Sequence, residues 1–163
     1  MAEASASGMS NLFMARAIQL SLESVQSGSG GPFGAVIVRN GDIIAEGVNQ
    51  VTSRNDPTAH AEVLAIRRAC SKLGTFELTD CELYSSCEPC PMCFGAVYWA
   101  RLARIYYANS AADAAAIGFD DSLIYAELKV PRADRSIPAV QMMREEALAA
   151  FRAWAEKPDK IPY

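Results

Sequence analysis

The single histidine, His60, and the three cysteines crowded into residues 87–93 constrain this chain more than any other feature. His60-Ala61-Glu62 and Pro89-Cys90-Pro91-Met92-Cys93 each stand at the start of an expected helix. A helix N-terminus carries free N–H groups and a partial positive charge, and both favour thiolate over thiol. Pro91 suits the first helical turn, where its missing N–H leaves nothing unpaired. Imidazole nitrogen and thiolate sulfur are the donors of tetrahedral zinc sites. His60, Cys90 and Cys93 supply three of them and leave a corner for water, the arrangement that separates catalytic from structural zinc. Glu62 is the strong base tied by sequence to this set, suited to moving protons rather than to ligation. Residues two apart do not share a helical face. The helix is therefore expected to point end-on at the metal, so that side chains of its first turn converge.

Cys87-Glu88-Pro89-Cys90 forms a second C-x-x-C pattern. A set of His60, Cys87, Cys90 and Cys93 would close the tetrahedron and make the metal structural. Cys87 follows an apolar strand and precedes the proline ahead of the ligand pair, which places it in the pocket wall or the core. Cys70 and Cys81 read as small buried hydrophobes. An odd count of five, with three in seven residues, is a poor disulfide framework and points to metal or redox chemistry.

Periodicity gives the organisation. Residues 11–27 recur apolar at helical spacing, and Ser27–Pro32 stop the helix. Strands are expected at Gly34–Arg39 and Asp42–Asn49, joined by Asn40-Gly41, a two-residue hairpin turn that tolerates positive φ. Asp56-Pro57-Thr58 reads as the capped opening of a second helix that Gly74 ends. A strand over Cys81–Ser86, a helix over Pro91–Ala100, a strand over Ile105–Ala108 and a short helix over Ala111–Ile117 follow. A strand over Ile137–Met142 and a helix over Glu145–Ala155 complete the series. Strands alternating with helices predict a layered α/β fold, and the opening hairpin makes the sheet mixed. With 163 residues, one domain over 1–163 is expected, with a loose tail at 1–8. Residues 157–163, polar and twice interrupted by proline, read as an arm.

A net charge of −4 with no run of Lys or Arg argues against nucleic acid and for a small neutral substrate. No apolar run reaches the roughly 18 residues a membrane span requires, and the N-terminus lacks a secretory pattern, so a cytoplasmic location is expected.

The order H-x-E followed by P-C-x-x-C is the signature of zinc-dependent deaminases. Asp56–Val63 together with Ser86–Cys93 resemble the cytidine deaminase superfamily. Gly31-Pro32-Phe33-Gly34-Ala35-Val36, Gly118-Phe119-Asp120-Asp121 and the terminal tyrosine are similar, within it, to the bacterial guanine deaminases. The resemblance runs from about Phe13 to the C-terminus. It implies a three-layer α/β/α sandwich around a five-stranded mixed sheet, one Zn2+ per chain on His60, Cys90 and Cys93, and hydrolysis of guanine to xanthine and ammonia. It implies catalytic roles for Glu62 as proton shuttle and for Asp121 as an acid contacting substrate. Asn49, Phe33, Ala61, Trp99 and Tyr163 are the implied substrate contacts, and a homodimer is implied, with Tyr163 reaching an active site from a swapped partner in related enzymes. Guanosine is the nearest rival substrate, with other aminated purines, pyrimidines and triazines behind it. A non-catalytic zinc interaction module would instead require four protein ligands, Cys87 among them.

Overall fold

The computed structural model describes the backbone from Ala2 to Tyr163 and the side chains from Asn11 onward. Part of the tail expected at 1–8 therefore lies outside the described residues, and the rest falls within the first helix. The chain divides into two compact units, one ending at Asp121 and one running from Ser122 to Tyr163.

In the first unit, α1 (Ala2–Gln26) precedes β1 (Gly34–Arg39) and β2 (Asp42–Val48). Asn40 and Gly41 join the two strands with φ of 53° and 86°, the left-handed values expected of an Asn-Gly turn. Then come α2 (Val51–Arg54), α3 (Ala61–Leu73), β3 (Cys81–Cys87), α4 (Pro91–Trp99), β4 (Arg104–Asn109) and α5 (Ala111–Ala116). The sheet order is β2-β1-β3-β4. β1 runs antiparallel to both neighbours, and β3 and β4 run parallel.

Alternation along β1 divides the core in two. Ala35 and Ile37 face α3 and α4, where they pack with Ala61, Ala65, Ala69, Leu83 and Val97. Val36 and Val38 face α1, where they pack with Ala17, Leu20 and Tyr84. On that face the Tyr84 ring stacks on Tyr106 at 4.5 Å and takes the edge of Phe13 at 5.3 Å. Helices thus cover both sides of the sheet, the α/β/α sandwich expected from the sequence.

Small residues let α3 approach the sheet closely. A Cβ on Gly47 in β2 would lie 2.0 Å from the Ala61 carbonyl oxygen and 2.8 Å from the Ala65 nitrogen. β2 is also tied to both helical layers. Arg16 of α1 grips the Glu46 carboxylate with two bonds of 2.7 Å, and Arg68 of α3 donates to the Glu46 carbonyl oxygen at 2.7 Å.

The second unit holds α6 (Ser122–Lys129), a single 3-10 turn at Arg132–Asp134 and α7 (Arg144–Glu156). The fifth strand expected over Ile137–Met142 does not form: the sheet of the described residues has four strands, and residues 138–143 carry no regular structure. Pro138 has no N–H to give a ladder, and Met143 turns left-handed at φ 51° to begin α7. Ile137, Val140 and Met142 are 76–81% exposed, so the β-branched character that suggested a strand has no buried face behind it.

Candidate active site

Topology gathers the chemistry at one end of the sheet. Because β1 opposes β2 and β3 while β3 and β4 run together, the start of β1 lies beside the ends of the other three strands. Phe33, Asn49, Cys87 and Asn109 therefore share one edge, and α3 and α4 both start from it. Gly34 N–H donates to Ser86 Oγ at 3.0 Å, and Asn49 N–H to the Phe33 carbonyl at 3.0 Å, which closes this edge on itself.

His60 is the residue that opens α3, and Cys90 the residue that opens α4. Such positions favour Ser, Thr, Asp or Asn, whose side chains cap the first N–H groups. Neither His60 nor Cys90 caps its helix with its side chain. Both turn toward Cys93 in the first turn of α4. His60 Nδ1 lies 3.5 Å from the Cys90 sulfur and 3.5 Å from the Cys93 sulfur. Zinc with N and S ligands at about 2.0–2.1 and 2.3 Å in a tetrahedron requires an N···S separation of about 3.6 Å. The three donor atoms all lie within 4.8 Å of one another, and the donor set fits zinc without rearrangement.

The helix begins later than Asp56-Pro57-Thr58 suggested. Asp56 caps a turn instead: its Oδ1 accepts from Thr58 N at 2.8 Å and from Thr58 Oγ1 at 2.6 Å. α3 starts at Ala61, and His60 is extended at φ −73°, ψ 153°. The two-residue spacing of His60 and Glu62 is therefore no helical-face problem, since His60 lies just off the helix.

The charges at this point are interdependent. The Cys90 thiol is pulled down to about 4, first by the hydrogen bond from Cys93 and further by His60. His60 is pushed up by its bond to Cys90. Cys93 is pushed up as the donor to Cys90 and by burial. The three groups thus compete for protons around one point, and binding of a divalent cation there would displace them. Glu62, 6% exposed in the first turn of α3, lies outside the donor set, and burial raises its carboxyl. Cys87 also lies outside that set. Its sulfur meets the Ser110 carbonyl at 3.6 Å, and burial lifts its thiol to about 11.

Asp121 is half-buried, with its carboxyl raised first by desolvation and next by the Cys90 thiolate, which places it within electrostatic reach of the metal ligands. Two residues earlier, Phe119 meets the Phe33 ring edge to face at 4.9 Å and 88°. Asn49 is 5% exposed, and its Oδ1 accepts from Gly31 N and Val51 N, each at 3.2 Å. Ala61 is fully buried at the first position of α3. Trp99 ends α4, roughly 13 Å along the helix from Cys90, and is 69% exposed. Tyr163 ends the second unit and is 74% exposed. Sequence reasoning missed Phe119 as a neighbour of Phe33 and α2 as an element. It also missed Ser24, which is buried behind Asn49. Gly118-Phe119 was the available signal for the first, and nothing local distinguishes Ser24.

Residues 9–109 match the cytidine and deoxycytidylate deaminase zinc-binding region. Guanine deaminase from Bacillus subtilis (strain 168) is 56% identical over 151 residues, 93% of this chain and 97% of that one. The X-ray structure of guanine deaminase from Bacillus subtilis superimposes with a TM-score of 0.91 over 94% of this chain and 98% of that one, at 56% identity. A solved structure of guanine deaminase from Nitrosomonas europaea gives a TM-score of 0.65 at 33% identity, over 86% and 81% of the two chains. The tRNA-specific adenosine deaminase of Aquifex aeolicus (strain VF5) is 47% identical over 76 residues, only 47% of this chain and 50% of that one. The chain belongs to the zinc-binding cytidine and deoxycytidylate deaminase family.

Proposed function

We propose that this chain is a zinc-dependent guanine deaminase that hydrolyses guanine to xanthine and ammonia in purine catabolism. The reach of the likeness carries this reading. Identity to a guanine deaminase covers 93% of the chain, whereas the tRNA deaminase shares 47%, so the segments beyond the zinc motifs favour guanine.

His60, Cys90 and Cys93 would hold the zinc, which when bound would supply the Lewis acidity that makes a water nucleophilic near neutral pH. Glu62 takes a first proton from the attacking water and hands it to the ring nitrogen beside the carbon under attack; it then takes the second proton from the hydroxyl just added and delivers it to the departing amine, so that the C–N bond breaks as the carbonyl forms. Its burial supports this role, because desolvation stabilises the neutral, proton-carrying form. Asp121 assists as a second acid near the ligands. Asn49 holds the purine edge through its amide, Phe33 packs on the ring with Phe119 behind it, and Ala61 lines the floor. Cys87, bonded to the Ser110 carbonyl, stands outside the donor set, which argues against a closed structural zinc with four protein ligands.

The test is turnover of guanine, followed by its ultraviolet loss and by ammonia release. Glu62→Gln is expected to lower kcat by about a hundredfold or more while zinc content is unchanged. Full activity in that variant, or no turnover of guanine by the zinc-loaded parent, overturns the reading. Parallel kinetics on guanosine decide between the free base and its nucleoside.

The assembly proposed is a cytoplasmic homodimer. Among the described residues no helix is long and apolar enough to cross a membrane. Phe94, Tyr98, Trp99 and Tyr107 in the first unit and Val140, Phe151 and Ile161 in the second are large apolar side chains left exposed. An exchanged arm would bring Tyr163 to the pocket of the other chain. Mixed dimers of Glu62→Gln chains and chains lacking Tyr163 test this. Recovery of activity on mixing supports exchange, because one intact site is then assembled; no recovery refutes it.

A further inference from the structure

We propose that Ser24, at the end of α1, is the positioning residue for Asn49 and thereby sets the affinity for the purine. The inference rests on Asn49 being a purine contact.

Ser24 is 1% exposed, a burial that a hydroxyl tolerates only with hydrogen-bond partners. Its Oγ lies 3.0 Å from the Gly31 carbonyl oxygen and 3.3 Å from the Asn49 carbonyl oxygen. A single hydroxyl proton is shared between the two, which ties α1 to both chain segments that frame Asn49. Those segments are already joined to each other. Gly31 N–H and Val51 N–H both donate to Asn49 Oδ1 at 3.2 Å. A backbone N–H can meet only the oxygen of the amide, so these two bonds determine its orientation. The oxygen is thereby occupied, and Nδ2 is the end left to read a ligand. Asn49 then offers donors alone, and the purine must present an acceptor to it, either a carbonyl oxygen or an unprotonated ring nitrogen.

The cradle tolerates no slack. A Cβ on Gly30 would lie 2.4 Å from the Asn49 carbonyl oxygen and 2.5 Å from Oδ1, so the loop is packed directly against this residue. Ser53 Oγ adds a bond of 2.7 Å to the Ser29 carbonyl, holding the loop from the α2 side. Ser24 holds it from the α1 side. Without the hydroxyl, the Gly31 carbonyl keeps the Phe33 N–H at 2.8 Å, but the Asn49 carbonyl loses the donor that anchors it. Asn49 is therefore the residue whose position Ser24 governs.

The experiment is a double-mutant cycle on guanine with Ser24→Ala and Asn49→Ala. Where a variant turns over too slowly, the dissociation constant for guanine is measured in the Glu62→Gln background. Ser24→Ala is expected to raise KM about three- to tenfold, the span of one buried hydrogen bond, with kcat and zinc content little changed. Ser24→Cys, which keeps the bulk and a weak donor, is expected to fall between. In the Asn49→Ala background the effect of Ser24→Ala on KM should vanish. An unchanged KM in Ser24→Ala overturns the proposal, and so does an equal rise in the Asn49→Ala background, which is what a general packing role gives. If Asn49→Ala alone leaves KM unaltered, the assignment of Asn49 itself is refuted and Ser24 falls with it. Thermal denaturation identifies any variant that has lost its fold, and Ser24→Cys then carries the comparison.

Discussion

Gly47→Ala adds a single methyl and is expected to have a consequence large for its size. The added methyl would lie 2.0 Å from the Ala61 carbonyl oxygen, where side-chain carbons essentially never come within 3.0 Å. Either β2 or the first turn of α3 must therefore retreat by at least about 1 Å. β2 is held by its ladder to β1, by the two bonds from Arg16 to Glu46 and by Arg68 on the Glu46 carbonyl. The strain thus falls on the start of α3, the turn that carries Ala61 and Glu62 and follows His60. Overpacking of this kind costs about 1–3 kcal/mol. At about 2–4 °C per kcal/mol for a chain of this length, the Tm should fall by roughly 2–12 °C. Activity should fall further, because a misplacement of about 1 Å in a catalytic group can cost about a hundredfold. Scanning calorimetry of the zinc-loaded protein and kcat/KM on guanine measure the two effects. A Tm within about 1 °C of the parent with activity within about twofold would refute the claim that β2 and α3 meet backbone to backbone.

Chelation of the metal should abolish turnover and lower the Tm, and zinc restored at equimolar concentration should reverse both; calorimetry with and without chelator checks it. Cys87→Ser should leave zinc content unchanged by atomic absorption, because that sulfur faces Ser110 rather than the ligand set. Acid stability should depend on Glu46, whose carboxyl lies below its ordinary 4.5 chiefly because Arg16 bonds to it. A depressed folded value contributes stability that is full above the ordinary value and is lost as pH falls through the lower one. The Tm advantage of the parent over Glu46→Gln should therefore hold at neutral pH and shrink progressively below about 4.5; an advantage that does not change with pH refutes the ion pair as its source.

The legible parts of this fold are those in which local chemistry and final structure agree. Asn40-Gly41 needs positive φ at both positions and has it. The turn at Gly74 ends α3 in the left-handed conformation its sequence suggests. Misreadings arose where one local signal had two structural solutions. Asp56-Pro57-Thr58 has the composition of a helix cap, but the same aspartate closes an Asx turn on Thr58, and only the position of the ligand edge decides between them. Ile137–Met142 has strand composition, but a strand requires a neighbour and a buried face, and those are tertiary properties. Ser24 was illegible for the same reason: a serine at the end of an amphipathic helix is usually a solvated residue, and its acceptors come from the strand-flanking loops 7 and 25 positions away.

The metal ligands were legible from the order of their motifs, H-x-E and then P-C-x-x-C, and the structure adds why they stand at helix starts. A helix N-cap normally carries a short oxygen-bearing side chain, and losing that bond costs about 1 kcal/mol. α3 and α4 both open with a residue whose side chain caps nothing. The same absence at Gln50 before α2 and Met143 before α7 is an ordinary loss, whereas at α3 and α4 another demand on the side chain takes the place of capping. Here the demand is common to both, since His60 and Cys90 converge with Cys93 on one point. A bound cation at that point restores what the caps forgo, because it holds the side chains that start each helix in place. Zinc in this chain is thus expected to order the beginnings of α3 and α4 as well as to serve chemistry, and amide exchange in residues 61–64 and 92–94 should quicken on its removal more than exchange in α1. Equal protection in all three helices after chelation would show that the helix starts stand without the metal.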